Sequence, residues 1–450
     1  MNNGVFKLKK GYDIKLLGKA ESTYLDVKQP NLFALKPTDV IGIAPIPKLK
    51  VAQGDEVRAG QPLFFDKPTP EILYTAPVSG ELVEVRRGGK RSIAEVVILA
   101  DSEMNYHEYS PINPDTASKE DIVQRLLESG AWALMRQRPY NTAPRPESTP
   151  RDIFISCFDT APLAPDHNML IEGKEALFQA GLNVLSKLTT GSVHLGVSPD
   201  SADVFTKAAG VKVHAFAGKH PAGNVGVHIH HVAPLNKNEV IWTLKPQDVA
   251  IIGKLFTENI FDAERTVAVT GDKLKQTGYF KTRVGASIKP LVEGNLVDEH
   301  VRFISGNALT GTQIGSEGFI GLYEDQLTVI EEGDKQEFLG WLLPSYARPS
   351  MSRTFLSFLL PDREYSVNTN NHGEERAYVV TGQYERVVPM DIYPQHLIRS
   401  IMYQDFDQME GLGIYEVVEE DLALCEFVCT SKQPVQKILR EGLDIMRIEG

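Results

Sequence analysis

The run "VAQGDEVRAGQPL", Val51 to Leu63, followed by "APVSGELV", Ala76 to Val83, alternates short apolar pieces with turn-forming residues. Gly54-Asp55 and Ala59-Gly60 are hairpin signals, and Pro77 and Gly80 bracket a further reversal. Short strands so closely spaced by turns, from Val51 to Ala100, predict a small β-barrel or sandwich.

Upstream of it, "MNNGVFKLKKGYDIKLLG" carries basic residues with no apolar run behind them, so it does not read as a secretory signal. With 450 residues and 42% hydrophobic content, the chain has material for about two to four domains, each with its own core. Three cysteines, Cys157, Cys425 and Cys429, are too few for a disulfide framework and point to a reducing compartment, the cytoplasm. No stretch approaches the ~20 apolar residues of a membrane span, since the greasiest, "TFLSFLLP", stops at Pro361. The net charge of −12 disfavours nucleic acid as a partner. Two basic clusters stand against that balance: Lys7, Lys9, Lys10, Lys15 and Lys19 near the start, and "RRGGKR" from Arg86 to Arg91. Each reads either as a solvated face or charged turn, or as a contact to anionic lipid or an acidic partner.

Downstream, the pattern changes. Ser118 is placed to cap a helix with Asp121 three residues on, and Ile122, Leu126 and Leu127 follow at helical spacing, with Pro139 as the stop. "DIFISCF" reads as a buried strand, "GKEALFQAGLNVLSKL" as an amphipathic helix, and "SVHLGVS" and "VKVHAFAG" as further strands. Strands alternating with a helix of this length predict βαβ units and a parallel sheet. Cys157 lies in the first of these strands and is expected to be a buried, inert thiol. In "GNVGVHIHHVAPL", His228 and His230 are two apart and on a strand would share one face, a spacing that metal sites use. No carboxylate or cysteine nearby completes a ligand set, so a ligand-facing or structural role is expected and no metal. A helix from Pro246 to Phe256 leads back into β segments. Gly306, Gly311 and Gly315 lie on turns but do not make a G-x-G-x-x-G order, and neither a P-loop nor a G-x-S-x-G elbow occurs. From Pro389 the composition is helical, with Glu419, Glu420 and Asp421 at a helix start where the dipole favours them.

The repeats of the opening stretch resemble a biotinyl/lipoyl-type barrel-sandwich domain. Such domains present a modified lysine at a hairpin tip, and here the tip reads "DKPTPE", with Lys67 beside Pro68. The domain is therefore expected to be a scaffold, with a carboxyl or acyl carrier on Lys67 as the competing reading. Taken in order, "FKLKKGYDIKLLG", the barrel-sandwich stretch, "GVHIHHVAPL", "RFISGNALTG", "GWLLPSYARPSMSRTF" and "DLALCEFVCTSK" resemble the A-subunit family of the sodium-translocating NADH:quinone reductases. That family is similar to the C-subunit of the Rnf ion pump and to the flavoprotein subunit of respiratory complex I.

The resemblance implies a multidomain α/β and α+β chain. Its parts would be a barrel-sandwich region at 1–101, a Rossmann-like domain at 102–256, a β-grasp soluble-ligand-binding domain at 257–332, a connecting segment at 333–388 and a helical domain at 389–450. In the relatives the helical domain carries a full cysteine set. Here Cys425 and Cys429 remain, four apart, with Thr430 where a proline usually follows, so they read as a vestige without an iron–sulfur cluster. Where the relatives have a glycine-rich flavin loop, this chain has "ESGAWALMRQRPYNTAP", in which Trp132, Arg136 and Arg138 would obstruct a phosphate.

The resemblance further implies a peripheral subunit on the cytoplasmic face of the bacterial inner membrane, docked on the membrane-embedded B-subunit. It would bind no cofactor tightly and have no catalytic residue of its own. Ubiquinone or menaquinone would be substrate, with NAD(H), flavins and iron–sulfur centres in partner subunits. A quinone needs an apolar slot and donors to its carbonyl oxygens. Arg136, Arg138 and Tyr140 of the "RQRPY" loop, with His228 and His230, are the candidates. The arginines would alternatively pair with surface acids. An independent soluble flavoprotein built on the Rossmann-like domain is the competing function.

Overall fold

In the computed structural model, which describes residues 4–335, 346–353 and 355–449, four β-sheets and a terminal helical cluster pack together. Part of the "GWLLPSYARPSMSRTF" motif, residues 340–345 and 354, lies outside the described residues.

The opening stretch forms two facing antiparallel sheets. Leu32–Leu35, Ile93–Ala100, Gly80–Arg87 and Glu56–Val57 make one, and Lys48–Leu49, Pro62–Phe65 and Leu73–Thr75 the other. Leu63, Phe64, Val78, Leu82, Val96 and Ile98 fill the space between them. Gly54 and Gly60 both sit at positive φ on the turns anticipated for them.

Six strands form the second sheet, in the order Phe6–Lys7, Lys212–Ala217, Val193–Val197, Asp152–Ser156, Ile241–Leu244, Arg136–Arg138. All run parallel except the last, which is antiparallel to its neighbour. The N-terminal strand leaves the barrel-sandwich sheets and adds to this edge, with Phe6 stacked on Phe216 at 4.8 Å. The helices Glu175–Leu185 and Pro246–Glu258 cover one face together. They approach closely because Gly181 and Gly253 leave room. A Cβ at Gly181 would lie 2.0 Å from the Val249 carbonyl oxygen, and one at Gly253 would lie 1.9 Å from that of Leu177.

The capped helix runs Lys119–Ser129, with the Ser118–Asp121 capping box formed as expected. It ends ten residues before Pro139. Gly130 adopts φ 80 as a left-handed cap, and the Thr75 hydroxyl, at 2.8 Å, donates to the Ser129 carbonyl oxygen. A single 3-10 turn, Ala131–Leu134, and the edge strand Arg136–Arg138 replace the rest of the anticipated helix.

Strands Glu264–Thr270, Gly278–Arg283, Val301–Ser305, Thr312–Ile314 and Gln326–Glu331 form a mixed sheet. Counted along the chain they lie second, first, fifth, third, fourth, with first and last parallel at the centre. This is the β-grasp arrangement. The chain closes with helices Pro394–Met402, Phe406–Gly411, Ala423–Val428 and Val435–Glu449 around a core that includes Leu397, Met409, Leu422 and Leu439. Among the described residues, no helix is long and apolar enough to cross a membrane.

Candidate functional site

The parallel sheet determines where a cleft opens. From the central strand Asp152–Ser156 the chain moves outward through two strands on one side, then returns to Ile241–Leu244 on the other. Beyond the carboxyl ends of two strands whose connections depart in opposite directions, no crossover fills the space. A cleft of about 580 Å³ lies there, with Ser156 ending and Phe158 following one strand, and Thr243 and Leu244 ending and Lys245 following the other. The barrel-sandwich contributes Lys36 and Asp39, the β-grasp domain Tyr323 and Glu324, and the helical domain Glu420 and Arg440. Every part of the fold thus meets at one opening.

Its floor is a network of buried charge. Arg265, fully buried, is paired with Asp248 and with Asp325, the latter at 2.8 Å. Gln247 adds hydrogen bonds to Asp325 and to both backbone groups of Thr266, at 2.8–2.9 Å. Lys245 donates to the Tyr323 carbonyl oxygen at 2.5 Å and lies 3.4 Å from Asp325. Burial works against its charge, yet the carboxylates of Asp325 and Glu324 raise its pKa above the usual lysine range. Burial raises the Asp39 carboxyl in spite of Lys36 beside it at 3.7 Å. The Tyr323 phenol, raised by burial, donates to the Ala133 carbonyl oxygen at 2.8 Å, and its ring carries the Arg136 guanidinium at 5.0 Å. The walls therefore offer cationic donors beside the apolar surfaces of Phe158, Leu244, Leu309 and Leu322.

Of the five residues singled out for quinone, the cleft receives Arg136. Arg138, two residues on in the same edge strand, is buried and clamped by Asp421 at 2.8 Å and Glu420 at 2.7 Å. Its partners are acids of the helical domain, the partly exposed Glu420 and the fully buried Asp421, so it pairs with acids as the alternative reading had it, but at a buried domain contact. Tyr140 adopts φ 79 at the turn after the strand, packs edge-on against Tyr415 at 6.1 Å, and its carbonyl oxygen accepts from Arg440 at 2.8 Å.

The histidine segment is a helix, Val225–Val232, and not a strand. Residues two apart on a helix point in nearly opposite directions, so His228 and His230 do not share a face. His228 is buried between Phe216, at 4.1 Å, and Phe158, at 5.5 Å, with Nε2 donating to the Ala222 carbonyl oxygen at 2.8 Å. Burial pushes its pKa down to about 4, which keeps the ring neutral. His230 Nε2 accepts from the Asp391 amide at 3.0 Å, which leaves the proton on Nδ1, 3.2 Å from Glu416. His228 therefore packs within the parallel-sheet domain, and His230 joins that domain to the helical cluster.

Trp132 is likewise removed from any ligand. It is fully buried, edge-on to Trp242 at 5.2 Å, with its indole donating to the Pro144 carbonyl oxygen. Cys157 is buried and its thiol raised by that burial. Cys425 and Cys429 lie in the core of the helical cluster, where Cys429 accepts from the Tyr384 hydroxyl at 3.0 Å and burial raises the Cys425 thiol. Among the described residues, no group of three or more His, Cys, Asp or Glu could hold a metal ion. Lys67 is exposed between Pro62–Phe65 and Leu73–Thr75.

Sequence reasoning passed over Lys36, Lys245 and Tyr323. The signal for Lys245 was present in "WTLKPQD", where a polar residue stands between the end of a strand and a Pro-initiated helix.

Three family models match successive parts of the chain: an NqrA N-terminal barrel-sandwich hybrid domain over residues 6–101, an NqrA second alpha/beta domain over 117–260, and an NQRA C-terminal domain over 266–316. The chain is similar along its length to the A-subunit of the Na(+)-translocating NADH-quinone reductase of Alcanivorax borkumensis, 39% identical, covering 99% of this chain and 100% of that one. To the A-subunit of Shewanella frigidimarina it is 39% identical, over 98% and 99% of the two chains, and to that of Yersinia pestis 38%, over 99% and 100%. Among solved structures, an NAD+-reducing [NiFe]-hydrogenase chain aligns over 77% of this chain and 67% of its own at 11% identity. Its TM-score of 0.37 is too low to support any inference.

Proposed function

Because the chain belongs to the A-subunit family of the Na(+)-translocating NADH-quinone reductases, we propose that it is the peripheral subunit that docks on the membrane-embedded B-subunit and helps to bind quinone in the interdomain cleft. It is one subunit of an oxidoreductase complex and has the other subunits as partners. On this reading it sits at the cytoplasmic face of the inner membrane and carries no iron–sulfur cluster. Flavins, iron–sulfur centres and the NADH site belong to its partners, and the quinone is ubiquinone or menaquinone.

The observation that carries the quinone assignment is Arg136. It is the candidate that faces the cleft, and it lies over the Tyr323 ring, so a planar head group can pack beside an aromatic surface while a carbonyl oxygen accepts from the guanidinium. Lys36 and Lys245 supply further donors, and Phe158, Leu244 and Leu322 the apolar walls. The cluster-free reading is supported by what the cysteine side chains touch: Cys429 is engaged by Tyr384, and Cys425 is fully buried.

In the assembled reductase, Arg136→Ala should raise the apparent KM for quinone about tenfold, the worth of one charge-assisted hydrogen bond, with kcat little changed. An unchanged KM in a fully assembled complex refutes the cleft as the quinone site. Affinity purification of the chain from solubilised membranes should bring the B-subunit with it, and a lone chain in the eluate refutes the docking. A cleft beyond the carboxyl ends of parallel strands also suits a flavin. A purified chain that retains stoichiometric flavin through gel filtration would favour the independent flavoprotein instead.

A further inference from the structure

Lys9, Lys10 and Lys15 of the N-terminal segment and the apolar run before Pro361 are some 340 residues apart in sequence, and the fold lays them side by side. The Leu17 amide donates to the Tyr365 carbonyl oxygen at 3.0 Å, and the Tyr365 amide to that of Lys15 at 2.9 Å. Next to this contact a single 3-10 turn, Leu356–Leu359, holds Leu356, Phe358, Leu359 and the following Leu360 at the surface, Leu359 being 62% exposed. Leu17 is exposed beside them. Lys9, Lys10, Lys15, Lys219, Arg353 and Arg363 border the same groove, which is lined in all by seven cations against three carboxylates in a chain whose net charge is −12. The Arg353 guanidinium lies over the Phe358 ring at 5.9 Å.

We propose that this patch, the 3-10 turn Leu356–Leu359 with Lys9, Lys10 and Lys15 of the N-terminal segment, is the surface by which the chain rests on an anionic lipid bilayer. The composition argues for lipid over protein. Protein interfaces are depleted in lysine at their centres, whereas exposed leucines and a phenylalanine ringed by lysine and arginine are what enters the boundary between headgroups and acyl chains. Charge complementarity points the same way, because an acidic chain meets a negatively charged leaflet favourably only where its own basic residues gather. The leucines on the turn enter the acyl boundary and the lysines meet the phosphates. The inference rests on the reading that the chain works at a membrane, and it needs no partner subunit to act.

Sedimentation of the purified full chain with vesicles tests it, using phosphatidylcholine alone and phosphatidylcholine mixed with phosphatidylglycerol. The chain should pellet with the anionic vesicles and be released by salt. The paired reversal Lys9→Glu and Lys10→Glu should weaken partition at least about 25-fold, at about fivefold per lysine. Leu359→Ser should weaken it about tenfold. All three positions are exposed, so the variants should elute and unfold as the parent does. Absence of pelleting with anionic vesicles, or equal pelleting after charge reversal, overturns the proposal. So does a set of variants that bind vesicles normally but no longer assemble with the membrane-embedded partners, which would make the patch a protein contact. A parent chain that binds vesicles but never co-purifies with the B-subunit would instead overturn the docking reading alone.

Discussion

Replacing Arg138 by alanine should unlatch the helical cluster from the α/β sheet. In the intact protein the guanidinium, 2% exposed, spans Asp421 at 2.8 Å and Glu420 at 2.7 Å across an interface where Asp421 is also 2% exposed. Removing one partner of a buried pair leaves the other charge uncompensated, at a cost of about 3–5 kcal/mol. The Val418 amide still donates to Asp421 at 3.0 Å, and Glu420 is half-exposed and can be solvated, so the lower end, about 3 kcal/mol, applies. That free energy corresponds to roughly a hundredfold in the opening equilibrium. Hydrogen exchange reads it directly: amides of 414–428 should lose about a hundredfold in protection while those of the β-grasp sheet, 264–331, keep theirs. Arg138→Met combined with Asp421→Leu should restore most of the loss, because an apolar pair of similar volume carries no desolvation penalty. A single Arg138→Ala variant within about 0.5 kcal/mol of the parent, or protection lost evenly over both regions, would refute the latch.

His228, with its pKa pushed down to about 4 from 6.5 by burial, binds fewer protons folded than unfolded between those pH values. Its contribution is therefore complete above about pH 6.5 and falls by about 3 kcal/mol as pH drops to 4, and His228→Gln should lower the measured slope of stability against pH by up to one proton. Gly181→Ala should destabilise the chain by about 2–3 kcal/mol, since the added methyl meets the Val249 carbonyl oxygen, and thermal unfolding should register it. Cys429→Ala should cost about 1–3 kcal/mol by leaving the buried Tyr384 hydroxyl without its acceptor, with no change in the iron content of the purified chain.

What the sequence disclosed followed from how local each determinant is. The turns at Gly54 and Gly60, the Ser118 cap and the strand "DIFISCF" depend on neighbours within a few residues, and each was legible. The helix Val225–Val232 was misread for the same reason. "VGVHIHHV" is rich in β-branched residues and alternates in polarity, which by itself favours a strand. What makes it a helix is its position against the parallel sheet. The His228 ring fits against Gly196, where a Cβ would come within 2.1 Å of Nδ1, and Asn224 at the helix start donates to the Glu420 carbonyl oxygen at 2.9 Å. Neither partner is a sequence neighbour, so packing overrode propensity without local warning.

The cleft shows the same limit from another side. Lys36, Lys245 and Tyr323, which join Arg136 there, come from three stretches that share no spacing, and each alone reads as an ordinary polar residue at the end of a strand or in a turn. Arg136 and Arg138 are the sharper case, being two residues apart in one short stretch and equally plausible as ligand contacts. Side chains two apart on a strand leave the same face, so the pleat of Arg136–Arg138 cannot explain why one reaches the cleft and the other Asp421. The difference arises at the strand's end, where Arg138 meets the turn at Tyr140 and Asn141, both at positive φ, and the acids of the helical domain close over it. A residue's role here depends on which domain reaches it, and that is written in the arrangement of the domains and not in the stretch that carries the arginines.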